Sequence, residues 1–123
     1  MVHLAIPCHN LEEAVAFYRD RLGCRVGRYK GDRVTFDFFG AQLVCHLAPD
    51  AVPPTSPYPL HFGLWVETEE SYQALYRQLS ARYVESEGVR YPGCEDEHRF
   101  CFARDPSGNI LELKWYRHDT VTR

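Results

Sequence analysis

The sequence predicts an α+β fold built from two tandem βαβββ modules. Three observations carry this: a gapless internal repeat, a strand leading into a helix at the head of each half, and a run of short extended segments after the first helix. His3-Leu4-Ala5-Ile6 is echoed 58 positions later by His61-Phe62-Gly63-Leu64. At the same offset Glu12, Ala16, Tyr18 and Arg19 return as Glu70, Ala74, Tyr76 and Arg77. The expected layout is one domain: a module over about 1–48, a connector over 49–59, a second module over about 60–117 and a tail over 118–123.

Each element has its own warrant. After the first strand, Asn10 is placed to cap a helix, with Glu13 three residues on as the acid of a capping box. Leu11, Ala14, Val15, Tyr18 and Leu22 follow the helical period, and Gly23 supplies the stop. Arg25–Tyr29, Val34–Phe39 and Ala41–Leu47 read as three strands, separated by Lys30-Gly31-Asp32 and by Gly40. The connector Pro49–Pro59 holds five of the eight prolines, which excludes regular structure. In the second half a helix starts at Thr68, with Glu69 and Glu70 in its first turn and Tyr72, Leu75, Tyr76, Leu79 and Tyr83 as its apolar stripe. Val84-Glu85 is weakly extended, and Ser86–His98 reads as a long irregular loop able to cover a site. Phe100–Arg104 and Asn109–Tyr116 then form a hairpin about Asp105-Pro106-Ser107-Gly108, whose chemistry is that of a type I turn.

Composition narrows the partners. Apolar residues make up 45% and charged residues 25% of 123 residues, an ordinary globular balance. The net charge is −3 with scattered basic residues, which argues against nucleic acid or an anionic membrane and for a small-molecule substrate or another protein as partner. No apolar run approaches the ~20 residues of a membrane span, and the start of the chain lacks the features of a signal peptide. Cys8, Cys24, Cys45, Cys94 and Cys101 form an odd set without a Cys-x-x-Cys pair, as expected of reduced packing thiols in a cytoplasmic protein.

The repeat gives the histidines meaning. His3 and His61 open equivalent strands and would converge if the halves pack about a pseudo-twofold axis. Aligning Leu43–Leu47 with Asn109–Leu113 at an offset of 66 superposes His46 on Glu112, each a polar residue in an apolar run. A polar side chain inside such a run needs a partner, because leaving it unpaired costs on the order of 1–3 kcal/mol. Nitrogen and oxygen donors from rigid strands are what a catalytic divalent metal requires, so these four residues are the candidate site. His9 and His118 are expected to be solvated. His98, at the end of the acidic loop, is either rim or a donor beside the site.

His3-Leu4-Ala5-Ile6-Pro7, Asn10–Tyr18, Leu22-Gly23 and Asp105–Glu112 together resemble the vicinal oxygen chelate superfamily of glyoxalases, fosfomycin-modifying enzymes, bleomycin resistance proteins and extradiol dioxygenases. The resemblance spans residues 2–117. Phe36–Leu47, the connector and His61-Phe62-Gly63 are similar to small bacterial proteins described as predicted dioxygenases. It implies a cup of paired βαβββ modules around a metal, closed within one chain or by exchange between two subunits, with a homodimer expected. It also implies His3, His61 and Glu112 as metal ligands. Glyoxalase-like members usually carry a glutamate near the position of His46, whereas extradiol enzymes use a histidine near there as acid/base, so His46 is the expected catalytic residue. The expected activity is extradiol-type cleavage of a small catecholic or related aromatic substrate with Fe(II); of Phe36, Phe38, Trp65, Phe100 and Phe102 most are expected in the core and one or two against the ligand. The alternatives are a lyase, isomerase or epimerase using Zn, Ni or Mn as Lewis acid, and a metal-free small-molecule binding or resistance protein.

Overall fold

The computed structural model describes residues 1–118, Ala81 by its backbone only; the tail from 119 lies outside the described residues. Two compact units are present, one of Met1–Thr55 with Asp105–Asn109, the other of Ser56–Arg104 with the chain from Ile110 onward.

In the first unit β1 (His3–Cys8) leads into α1 (Leu11–Val15), followed by β2 (Arg25–Lys30), β3 (Arg33–Phe38) and β4 (Ala41–Leu47). The sheet order is β1-β4-β3-β2, with β1 and β4 parallel and the other pairs antiparallel. Asn10 caps α1 as its position requires, its Oδ1 accepting from the Glu13 amide at 2.9 Å. The helix then continues as a π-helical segment, Ala16–Arg21, where the periodicity predicted regular α-helix to Leu22. The wider turn lets consecutive residues Phe17 and Tyr18 both be buried, at 1% and 0% exposure. Tyr18 packs on Phe36 and Phe38 with ring centroids 5.3 and 6.2 Å away.

The second unit repeats the plan with β5 (Phe62–Val66), α2 (Glu69–Tyr83), β6 (Val84–Arg90), β7 (His98–Arg104) and β8 (Ile110–Tyr116), in sheet order β5-β8-β7-β6. Thr68 caps α2, its Oγ1 accepting from the Ser71 amide at 3.0 Å. Ser80, at φ 53° and ψ −177°, interrupts the helical backbone near its end. β6 is a full strand of seven residues, so the expected loop shortens to the stretch between Arg90 and His98. An edge strand of sequence Val-Glu-Ser-Glu-Gly-Val-Arg buries little, so its hydrogen bonds to β7 define it where its hydrophobicity does not.

Asp105–Asn109 forms the expected turn, with the Gly108 amide donating to the Asp105 carbonyl at 2.9 Å and Gly108 at φ 85°. Its placement was not expected: it belongs to the first unit. Buried Asp105 accepts from Tyr18 Oη at 2.7 Å, from Asn109 Nδ2 at 2.8 Å and from the amides of Ser107 and Asn109 at 2.9 Å. Asn109 Nδ2 also donates to the Pro7 carbonyl, and Ser107 Oγ accepts from the His9 amide, both at 2.8 Å. Among the described residues no helix is long and apolar enough to cross a membrane.

Candidate functional site

The parallel pairing of β5 with β8 sets Gly63 opposite Glu112, and β7 sets Phe102 opposite Glu112 from the other side. Glu112 therefore stands on an inner strand of the second sheet, 6% exposed. His61 immediately precedes β5, and its Nε2 lies 3.5 Å from Glu112 Oε1. Gly63 makes this approach possible, because a Cβ there would meet the Glu112 backbone oxygen at 1.8 Å.

The hydrogen bond on the far side of the imidazole decides what faces the carboxylate. His61 Nδ1 is 2.7 Å from the Pro57 carbonyl oxygen, which can only accept, so Nδ1 carries a proton. In the neutral ring Nε2 then presents a lone pair toward a carboxylate oxygen, and two acceptors in that relation are satisfied by a shared cation. Rings of Phe102 and Tyr58, with centroids 5.1 and 5.7 Å from that of His61, fix its plane.

Two ligands of one divalent ion, each about 2.0–2.2 Å from it, stand roughly 3–3.5 Å apart, which the His61–Glu112 spacing fits. A carbonyl orienting the unused imidazole nitrogen is the usual support for a metal-binding histidine. The pair thus fits two places of a metal shell. Among the described residues no group of three or more His, Cys, Asp or Glu side chains stands close enough to hold an ion. Lys114 Nζ, 3.2 Å from the same Glu112 oxygen, supplies the nearby positive charge. Burial disfavours its ammonium, but attraction to Glu112 outweighs this and the pKa is raised.

Both residues border a cavity of about 330 Å³ whose wall also carries Tyr58, Arg90, Tyr91, His98 and Tyr116. Its aromatic lining is tyrosine and histidine, and none of the five phenylalanine and tryptophan candidates lines it. Phe36 and Phe38 are core beside Tyr18, while Phe102 is buried behind His61. His98, 7% exposed, lies in this wall, with Nδ1 2.9 Å from the Asp96 carbonyl and its ring stacked on Tyr116 at 4.4 Å.

His3 and His46 lie in the first unit and are not neighbours. His3 pairs in register with Gln42, and its Nδ1 is 2.8 Å from Gln42 Oε1. His46 pairs with Pro7, four residues further along the same strands, about 13 Å at the usual rise. The registers also correct the alignment of the last strands. Leu4 pairs with Leu43, and Phe62, its repeat partner, pairs with Leu111, so β4 and β8 correspond at an offset of 68. Val44 is therefore the equivalent of Glu112, and His46 that of Lys114. An error of two residues keeps every side chain on its face, which is why hydrophobic pattern alone did not reveal it.

His9 is half-buried where a solvated side chain was expected, its Nε2 2.7 Å from the Ala51 carbonyl oxygen. His118 is exposed. Four of the cysteines are buried and Cys94 is exposed. Burial pushes the Cys24 thiol up to about 12 and Cys101 to about 11, and raises Cys8 and Cys45 as well, which suits packing and not nucleophilic chemistry. Gln42, Lys114, Arg90 and Tyr58 are the polar residues sequence reasoning passed over. Gln42 and Lys114 had a signal, each being a polar residue at a strand position facing the same way as a candidate ligand.

Residues 1–113 match the Glyoxalase/Bleomycin resistance protein/Dioxygenase superfamily. The chain belongs to this superfamily. A glyoxalase/bleomycin resistance protein/dioxygenase from Alicyclobacillus acidocaldarius is 41% identical, with a TM-score of 0.86 over 97% of this chain and 93% of that one. The fosfomycin resistance protein FosX of Listeria monocytogenes shares the fold at 15% identity, with a TM-score of 0.75 over 99% of this chain and 94% of that one. A glyoxalase domain-containing protein of Mycosarcoma maydis, RDO1, is 26% identical over 94% of this chain and 67% of its own length. Superfamily membership accounts for the tandem modules.

Proposed function

We propose that this superfamily member is a metal-dependent dioxygenase-like enzyme that cleaves a small catecholic or related aromatic substrate in extradiol fashion. The observation that carries the proposal is the approach of His61 Nε2 to Glu112 Oε1, 3.5 Å apart at the wall of a cavity large enough for one aromatic ring with substituents. In this reading His61 and Glu112 hold the ion and His3 is the third ligand. Fe(II) is the favoured ion, since two histidines and one carboxylate suit it and leave positions for substrate and oxygen. When bound, the metal supplies Lewis acidity toward vicinal substrate oxygens and a site for oxygen chemistry.

The protein's own groups do the rest. The Pro57 carbonyl keeps the His61 proton on Nδ1, so that Nε2 is free to bind. Tyr58, Tyr91 and Tyr116 give the cavity flat walls for a ring and hydroxyls for its oxygens. His46 remains the proposed acid/base, taking a substrate proton and returning it. The enzyme acts as a homodimer in the cytoplasm in this proposal; sedimentation tests the former.

Anaerobic loading with Fe(II) followed by oxygen uptake on a catechol panel tests the reaction. The expected result is stoichiometric uptake with a ring-opened product, lost in His61→Ala. No uptake across the panel, together with turnover of α-hydroxy or thiohemiacetal substrates, would transfer the chain to Lewis-acid lyase or isomerase chemistry.

A further inference from the structure

The cavity of the second unit contains a cation whose only polar side-chain partner among the described residues is a neutral hydroxyl. Arg90, the last residue of β6, is half-buried and lies with its guanidinium carbon 4.4 Å from the Phe100 ring centroid. One of its Nη atoms donates to Tyr58 Oη at 2.8 Å. Gly88, two residues earlier on the same face, leaves room for the Phe100 ring, since a Cβ there would stand 3.2 Å from the ring's Cε1. Aromatic ring beneath and phenol beside hold the guanidinium plane in one orientation, with further N–H donors left over.

Six other arginines of this protein are engaged by carboxylates. Arg19, Arg25, Arg33, Arg99, Arg104 and Arg117 each have a carboxylate oxygen within 3.6 Å. Arg90 has none among the described residues, although Asp96 and Glu112 line the same cavity. Glu112 is instead engaged by Lys114 at 3.2 Å. A part-buried, oriented and uncompensated guanidinium in a small-molecule cavity is built for an anion, and its planar fork matches a carboxylate.

We propose that Arg90, oriented by Tyr58 and Phe100, binds a carboxylate substituent of the substrate, so that the chain acts on an aromatic carboxylate in preference to a neutral catechol. This inference rests on the reading of His61 and Glu112 as the metal-holding pair.

Calorimetric titration of the Zn(II)-loaded full chain avoids turnover and compares 3,4-dihydroxybenzoate with catechol. The carboxylate is expected to bind at least about 10-fold more tightly, an advantage that Arg90→Met abolishes while catechol affinity stays within about twofold. Arg90→Lys is expected to keep part of the advantage, and Tyr58→Phe to lose about threefold of it, with unchanged melting temperatures showing that both variants fold. No preference in the wild-type chain, including failure of both ligands to bind, or an equal loss for both ligands in Arg90→Met, would overturn the inference. Metal titration of the same samples separates it from its premise: uptake dependent on His61 with no carboxylate preference sinks only the role of Arg90. If no metal is taken up, the same ratio measured on the metal-free chain still decides it.

Discussion

Lys114 shows how a single side chain can oppose the ligand its neighbours invite. Its ammonium touches the Glu112 oxygen that faces His61, so a divalent ion bound there competes with it or is repelled by it. Lys114→Met keeps the stem and removes the charge. We expect this variant to bind divalent metal several-fold more tightly than wild type, measured by calorimetry. Because the Lys114 pKa is raised, its ammonium persists through neutral pH, and the electrostatic stabilisation it gains from Glu112 is lost only as pH rises through that raised value. The ratio of the two affinities should therefore be the same at pH 6.5 and pH 8. A variant that binds metal no better would show that the ion pair is irrelevant to the ligand place. At this scale the strand-opening histidines were readable, because the repeat marks them at a fixed offset. Arg90 was not, because a guanidinium stacked on Phe100 depends on cross-strand neighbours that no local pattern specifies.

Among the elements, β5 and β8 depend on a glycine. With Gly63 the two backbones pair directly beside the candidate ligands, and any side chain there meets the Glu112 carbonyl. Gly63→Ala is expected to destabilise the chain by about 2 kcal/mol or more and to weaken metal binding in whatever fraction folds, by denaturant titration and calorimetry. Wild-type stability in that variant would contradict the described pairing. The turn Asp105–Asn109 carries a comparable load in the other unit. Asp105→Ala strands the fully buried Tyr18 hydroxyl and two turn amides, and about 3 kcal/mol of stability should be lost. Loss below about 0.5 kcal/mol would mean that the Tyr18–Asp105 bond contributes little. Element types followed well from capping residues and strand-sized apolar runs. The π-helical stretch, the full length of β6 and the true offset between β4 and β8 did not. Each of these is set by backbone hydrogen bonding to a neighbour, with no change in the residue types that would announce it.

For the whole molecule, the two units do not coincide with the two sequence modules. The first recruits Asp105–Asn109 from late in the chain. A fragment ending at Thr55 therefore lacks the acceptor for Tyr18 and the donor to the Pro7 carbonyl, at a size where stability is marginal to begin with. We expect residues 1–55 to show no cooperative thermal transition by circular dichroism; a sharp transition would show that the borrowed turn is dispensable. The duplicated architecture was readable from the repeat, and superfamily membership agrees with it. The borrowing was not, since a turn motif signals its own geometry and says nothing about which unit its side chains serve.

The claim on which the functional account depends is that His61 and Glu112 form a metal-holding pair. Titrating the chelator-treated full chain with Mn(II) or Co(II), alongside His61→Ala and Glu112→Gln, addresses it directly. The account predicts one ion per chain in the wild type and at least about a 100-fold loss of affinity in each variant with folding intact. Equal metal affinity in all three proteins, or none in the wild type, would contradict it.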